Sequence, residues 1–114
     1  MLVPMRAWGS NRSGELDAPP MEGVIQVSAG LGHSCALNDP GVSCWGNNGS
    51  GQINVPSLNN PSQVSAGSYH TCAIDEGQVV CWGRDDFGQS SVPNLVYLEW
   101  CSAGADHTCA VDRL

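Results

Sequence analysis

The chain has 114 residues and a formal net charge of −7, with four arginines and no lysine. Nucleic-acid binding draws on many cations that neutralise phosphates, so this composition argues against a nucleic-acid-binding module. The sequence has no apolar stretch of about 18 residues, the length that a membrane-spanning helix needs. The acidity fits a well-solvated surface or a basic or neutral protein partner.

The cysteine content and the N-terminal segment predict different cellular compartments. Six cysteines in a chain of this size are typical of an oxidising, extracellular or secretory compartment. The first six residues, however, lack the apolar core of a secretion signal. Two alternatives follow: the chain is a piece of a longer secreted protein, or its thiols are reduced and buried.

A period of 37 residues runs through the whole chain. Trp-Gly pairs begin at Trp8, Trp45 and Trp82, and His-x-Cys segments begin at His33, His70 and His107. Such a period predicts copies of one structural unit, which we place at approximately 6–42, 43–79 and 80–114 within a single domain, 1–114. Other residues recur with the same period, namely Ser28, Ser65 and Ser102, and Pro19, Pro56 and Pro93.

Each repeat is expected to contain a β-hairpin. In the first repeat a turn at 38–41, which includes Pro40, would place Cys35 opposite Cys44. In the second repeat a short strand at 63–66 precedes two strands, 71–75 and 78–82, around Glu76-Gly77. A two-residue turn ending in Gly suits such a hairpin and places Cys72 opposite Cys81.

The alternation of side chains predicts that the hairpin is covered on both faces. Successive strand residues point to opposite faces, and both faces of the second hairpin carry apolar residues. Stacked sheets provide this environment. The Gly-rich stretch after each Trp-Gly, ending near Val-Pro, is expected to lead to an outer edge strand. The sequence therefore predicts an all-β fold, a segment of a β-propeller with about three four-stranded blades.

The second repeat carries a family resemblance. Its segments 67–74 and 79–83, closed by Gly88-Gln89, resemble the repeat of the regulator of chromosome condensation family over about residues 7–111. The short period and the Gln-x-x-Val-Pro ending are more similar to bacterial extracellular members, among them propeller-type β-lactamase inhibitory proteins. The resemblance implies a protein-binding propeller, with guanine-nucleotide exchange on a small GTPase as the alternative activity.

Three repeats are too few for a ring of four to eight blades. The chain starts at a Trp-Gly strand and stops after the strand that holds Cys109. We therefore expect either a homodimer that completes a six-bladed ring by head-to-tail exchange or a piece of a longer propeller.

The hairpin register makes disulfides the leading prediction for four cysteines. Directly opposed strand residues have Cβ atoms about 4.5–5.5 Å apart, close enough to bridge with modest tightening. We predict Cys35–Cys44 and Cys72–Cys81, with buried reduced thiols as the alternative. In the third repeat the position matching Cys44 corresponds to Ala7, so either Cys101 pairs with Cys109 or, as we favour, both are core thiols.

We expect no catalytic, metal or cofactor site and hence no enzyme. The His and Cys of each His-x-Cys segment lie about 7 Å apart on one strand face, too far for direct proton transfer. Their recurrence in every repeat favours packing and hydrogen bonding between blades. The loop glycines are followed by neither a Lys nor a helix, which disfavours a phosphate cradle.

Loops on one face of the propeller are the expected place for a protein partner. Tyr69 stands where the other repeats have Gly32 and Asp106, and Phe87 follows Arg84, Asp85 and Asp86 in a loop that is otherwise Asn-Asn-Gly-Ser. Aromatic residues and Arg are over-represented among interface hot spots. We predict a partner-binding set at Tyr69, Arg84, Asp85, Asp86 and Phe87. The apolar run 95–100 is a second candidate contact.

Overall fold

The computed structural model describes residues 5–39, 41–93, 95 and 98–112. Within these ranges the protein contains eight strands and no helix, so the described residues include no helix long and apolar enough to cross a membrane. The strands are β1 Val24–Ala29, β2 His33–Asn38, β3 Val42–Gly46, β4 Pro61–Ala66, β5 His70–Asp75, β6 Gln78–Gly83, β7 Leu98–Ala103 and β8 Thr108–Asp112.

The strands form three separate antiparallel sheets in chain order. Blade 1 consists of β1–β2–β3, blade 2 of β4–β5–β6, and blade 3 of β7–β8. The hairpin registers agree with those expected from the sequence: Cys35 lies opposite Cys44, and Cys72 lies opposite Cys81. The all-β fold and the propeller-like repeat of one sheet per 37 residues are thus confirmed.

The turn of the second hairpin explains its register. Glu76 and Gly77 have φ angles of 53° and 76°, the left-handed pair that a two-residue type I′ turn requires. Asp75 and Gln78 then pair directly. In the first hairpin Asn38 N–H donates to the Gly41 carbonyl at 2.8 Å, while the expectation concerning Pro40 lies outside the described residues.

The expectation of a fourth, outer strand in each blade is wrong. Blades 1 and 2 have three strands each, and the described residues between 52 and 57 and between 89 and 93 form turns and extended loop. The backbone of this segment bonds to itself: Gly51 N–H donates to the Asn48 carbonyl, and Asn54 N–H to the Gly51 carbonyl. Because these groups are satisfied locally and Pro56 lacks an N–H, the segment does not join the sheet ladder.

The core lies between the sheets. All six residues of β5 are buried, as expected for a strand covered on both faces. The cluster between blades 1 and 2 contains Cys35, Leu37, Val64 and Ala66, and the cluster between blades 2 and 3 contains Cys72, Ile74, Leu98 and Cys101.

Side chains of one blade bond to the backbone of the next. Gln63 Nε2 donates to the Cys101 carbonyl at 2.6 Å, and Cys101 N–H donates to Gln63 Oε1 at 2.7 Å. Val64 N–H donates to Gln26 Oε1 at 2.9 Å. These side chains satisfy backbone groups that no strand of the same blade reaches, and so they fix the stacking distance between sheets.

Both predicted disulfides are present, Cys35–Cys44 and Cys72–Cys81, each with Cα atoms 4.1 Å apart. Cys101 and Cys109 are unbridged. Cys109 lies opposite Ser102, one position from Cys101, so the two cysteines point to opposite faces and the Cys101–Cys109 alternative is wrong. Cys101 is buried, in line with the core-thiol expectation, whereas Cys109 is exposed, which contradicts it.

The apolar run 95–100 is only partly described. Leu95 packs against the core between blades 2 and 3, and Leu98 is buried there. Trp100 is exposed. Positions 96 and 97 lie outside the described residues.

Candidate binding surface

Strand pairing in blade 2 brings the predicted binding residues to one end of the sheet. His70, which begins β5, pairs with Gly83, which ends β6. Tyr69 therefore adjoins the loop that starts at Arg84, and Arg84 N–H donates to the Tyr69 carbonyl at 2.9 Å. Gly83 has φ of 102°, and a Cβ there would lie 2.7 Å from that carbonyl. Only glycine permits this close approach.

Arg84 joins the two aromatic side chains. Its guanidinium carbon lies 5.3 Å from the centre of the Tyr69 ring and 5.9 Å from the centre of the Phe87 ring. Both distances are within the range of cation–π attraction. Phe87 is 68% exposed, whereas Tyr69 is half-buried. The three side chains form a continuous aromatic and cationic patch, named here the Arg84 patch.

Asp86 holds Arg84 in place. Arg84 Nη2 lies 2.6 Å from Asp86 Oδ2, and Arg84 Nε donates to both carboxylate oxygens at 2.8 Å. This hydrogen bonding keeps the pKa of Asp86 below its ordinary value and raises the pKa of Arg84. Both groups remain charged near neutral pH, and the salt bridge orders the loop more than it stabilises the fold, because exposed pairs contribute little.

Asp85 stabilises the same loop from within. Its carboxylate accepts hydrogen bonds from the Ser91 hydroxyl and the Ser90 backbone N–H, and these bonds lower the pKa of Asp85. Asn11 and Asn48 occupy the equivalent positions and accept from the backbone five residues onward in the same way. Asp85 is thus a loop-forming residue that also adds a negative charge beside the patch.

Gln89 is a residue of this site that the sequence interpretation missed. It is buried, its Oε1 accepts from Phe87 N–H at 2.9 Å, and its Nε2 donates to Asp86 at 3.3 Å. Gln52 and Glu15 accept equivalent bonds in the two earlier loops. The sequence signal that could have identified Gln89 is the amide or carboxylate side chain that recurs here every 37 residues. All three loops share one backbone frame, and only the third carries Arg84, Asp86 and Phe87.

The histidines of the His-x-Cys segments bond between blades. His33 Nε2 lies 2.9 Å from Thr71 Oγ1, and His70 Nε2 lies 2.8 Å from Thr108 Oγ1. Both rings are fully buried, and burial lowers the pKa of each. These contacts agree with the packing role expected for them. Among the residues that the structure describes, His, Cys, Asp and Glu form no cluster of three suited to a metal ion.

Known structures share this fold. The ectodomain of the receptor kinase CR4 from Physcomitrella patens is 27% identical, with a TM-score of 0.72 over 87% of this chain and 29% of that chain. The CRINKLY WD40 ectodomain of the receptor kinase ACR4 from Arabidopsis thaliana is 29% identical, with a TM-score of 0.62 over 79% and 32%. Prp20p from Saccharomyces cerevisiae, at 18% identity, has a TM-score of 0.79 over 93% and 38% and shows the fold alone.

The chain spans about a third of the length of these structures. No curated protein sequence matches it. The family model described as the regulator of chromosome condensation (RCC1) repeat matches residues 24–52 and 62–89, which together make up half of the chain. The matched segments contain β1 to β6, apart from Pro61 at the start of β4, and the loops that follow β3 and β6. With this match and the repeated blade geometry, the chain belongs to the regulator of chromosome condensation (RCC1) repeat family.

Proposed function

We propose that this chain is a non-catalytic protein-binding module that engages its partner through the Arg84 patch. The observation that carries the proposal is the stacking of Arg84 between Tyr69 and the exposed Phe87 ring. A pre-ordered aromatic and Arg cluster loses little side-chain entropy on binding, which is the property of interface hot spots.

The charge around the patch indicates the chemistry of the partner. Asp85 and Asp86 lie in the same loop as Phe87, and Asp106 is close enough to raise the pKa of Arg84. The whole chain carries −7. We therefore propose a protein partner that presents an apolar or aromatic side chain flanked by basic residues, because complementary charge steers association.

The proposed compartment is extracellular. Each of two hairpins carries a disulfide, and two structural relatives are receptor-kinase ectodomains. Disulfides persist in oxidising compartments. The short period resembles that of the bacterial extracellular members, and we therefore propose β-lactamases as one class of partner to test.

Guanine-nucleotide exchange on a small GTPase is the second candidate function. Prp20p, whose structure was described with its binding properties to Gsp1p and histones, shares the fold. Measurement of nucleotide release from a panel of small GTPases separates the two proposals. Faster release in the presence of the chain supports exchange, and unchanged release supports the binding module alone.

A capture experiment with matched variants tests the binding module. The Tyr69→Ala/Phe87→Ala double variant removes both rings, while Gln78→Ala alters an exposed residue at the other end of β6. Proteins captured from extracellular fluid, and separately a panel of purified β-lactamases, are compared between wild type and variants. The proposal is supported by a partner whose capture falls at least tenfold with the double variant and is unchanged with Gln78→Ala. Equal binding by all three proteins contradicts it.

The outer faces of blades 1 and 3 also need cover in the native assembly. Ile25 and Val27 on β1 and Trp100 on β7 are exposed, and exposed apolar patches of this kind mark interfaces. We propose that these faces are covered by neighbouring blades, supplied either by a second copy of the chain in a six-bladed homodimeric ring or by a longer chain.

A further inference from the structure

Three cysteine side chains meet in the core between blades 2 and 3. Cys101, a free thiol that is 1% exposed, lies in the same buried cluster as Cys72, and Cys81 packs against this cluster. Cys72 and Cys81 form the disulfide of blade 2. A free thiol is thus enclosed together with a disulfide, and a thiolate that reaches a disulfide sulfur exchanges with it through a mixed disulfide.

The core between blades 1 and 2 is built in the same way but has no free thiol. It contains Cys35 and Val64, and Cys44, the disulfide partner of Cys35, packs against it. Val64 and Cys101 lie one period apart in the sequence, and both are buried. Because a valine fills this position at the first junction, packing alone does not require a sulfur atom at position 101. The two junctions therefore compare a disulfide without and with a neighbouring thiol.

Hydrogen bonds hold the thiol and the disulfide on facing sides of one junction. Gln63 of blade 2 bonds to both the N–H and the carbonyl of Cys101. Cys72 Sγ lies 3.7 Å from Thr108 Oγ1 of blade 3, so this sulfur faces the blade that carries Cys101. Cα atoms of β5 and β7 approach within 8 Å of each other, and a disulfide requires Cα atoms within about 7 Å. A bond across this junction therefore needs only a modest shift of blade 3 toward blade 2.

Burial controls the reactivity of this thiol. It raises the pKa of Cys101 to about 11, and the attacking species in exchange is the thiolate. At neutral pH the thiol is therefore almost fully protonated, and below its pKa each pH unit raises the thiolate fraction about tenfold. Exchange is slow in the closed junction, and it accelerates as the pH rises or as blade 3 separates from blade 2 and admits water.

We propose that Cys101 is an exchange thiol for the disulfide of blade 2. Its thiolate attacks Cys72 Sγ, the Cys72–Cys101 bond forms as the Cys72–Cys81 bond breaks, and Cys81 leaves as a thiolate that takes up the proton released by Cys101. No oxidant or reductant is consumed, because one disulfide and one thiol are present before and after the step.

The attacked sulfur is that of Cys72, because Cys72 lies inside the buried cluster with Cys101, whereas Cys81 is half-buried at its border. The leaving thiolate is thus the more solvent-accessible of the two, which favours its departure. The product links blade 2 to blade 3 covalently in place of the link within blade 2. This junction therefore has two covalent forms at the same oxidation level, and the exchange is independent of the Arg84 patch.

Disulfide mapping tests the exchange in a Cys109→Ser chain, where Cys101 is the only free thiol. The chain is held at pH 7.5 or pH 9.5, quenched with acid, and labelled with N-ethylmaleimide in denaturant. Cleavage at the acidic residues between Cys72 and Cys81 and mass spectrometry then locate the label. We expect label to appear on Cys81 at the expense of Cys101, at least tenfold faster at pH 9.5 than at pH 7.5, while the disulfide of blade 1 stays intact.

Two reciprocal substitutions provide matched controls. Cys101→Val gives the second junction the residue of the first, and with Cys109→Ser it is expected to leave no position labelled. Val64→Cys, added to that variant, places the thiol at the first junction and is expected to bring label to Cys44. Cysteine packs as a small hydrophobe and is close to valine in volume, so both substitutions keep the core filled.

Three results would overturn the proposal. Label that remains on Cys101 alone at pH 9.5 shows that the thiol does not reach the disulfide. Label on Cys72 shows that Cys81 is the attacked sulfur. Label on Cys35 or Cys44, as fast as on Cys81 in a chain that keeps valine at position 64, shows that exchange takes place in the unfolded chain and not at this junction.

Discussion

At the scale of single residues, the buried amide of Gln63 bridges blades 2 and 3. It bonds to both the N–H and the carbonyl of Cys101, in a place where water has no access. Gln26 makes one such bond, to Val64 N–H, and is only half-buried. The two glutamines thus provide a matched comparison of a double and a single bridge.

We expect Gln63→Ala to lower the free energy of unfolding by about 2–4 kcal/mol, since it leaves two buried backbone groups without a partner. Gln26→Ala is expected to cost about 1 kcal/mol. Urea denaturation of both variants under the same conditions measures the difference. A Gln63→Ala variant no less stable than Gln26→Ala would show that the bridge does not hold the sheets together.

The buried histidines make stability depend on pH. Burial lowers the pKa of His33 and His70, so the folded protein keeps them neutral while the unfolded chain takes up protons. Stability is full above the ordinary histidine value of about 6.5 and is lost as the pH falls from there toward the lower folded values. We expect the urea midpoint to decrease between pH 7.5 and pH 5.5. The His33→Gln/His70→Gln variant is expected to show a clearly smaller decrease of the urea midpoint. If the decrease is the same as in the wild type, groups other than these histidines cause the pH dependence.

At the scale of strands and loops, the predictable features are those set by local chemistry. The Glu76-Gly77 turn determines the register of β5 and β6, and with it the disulfide partners and the proximity of Tyr69 to Arg84. The Val-Pro ending led to the wrong prediction of an outer strand, because the sequence does not reveal that the Gly51 and Asn54 N–H groups bond within their own loop. The stacking of Arg84 on two rings depends on side-chain conformations that spacing alone does not specify.

Each disulfide closes a short loop within a hairpin that is already aligned. The bridged residues are nine positions apart in both cases, and a loop of that length contributes about 2–3 kcal/mol in the chain-entropy model. We expect Cys72→Ala/Cys81→Ala to lose about that amount and Cys35→Ala/Cys44→Ala to lose a similar amount. Urea denaturation checks both. A loss at one site several times that at the other would mean that packing, not loop closure, sets the contribution.

At the scale of the whole molecule, the chain is a stack of sheets whose order follows the 37-residue period. A central blade is covered on both sides, and the blades beside it each present one open face. Stacking explains why Val64 is fully buried and Val27 is not, although both occupy the same place in their repeats. The Arg84 patch lies where β5 begins and β6 ends.

The most direct test of the central claim is photo-cross-linking from the Arg84 patch. A benzophenone amino acid that replaces Phe87 keeps a bulky aromatic side chain at the exposed position, and the same probe at Gln78 reports on the opposite end of β6. The account predicts that irradiation with the captured partner gives a cross-linked product from position 87 and at least tenfold less from position 78. Equal cross-linking from both positions, or product from position 78 alone, would contradict the assignment of this patch as the partner-binding surface.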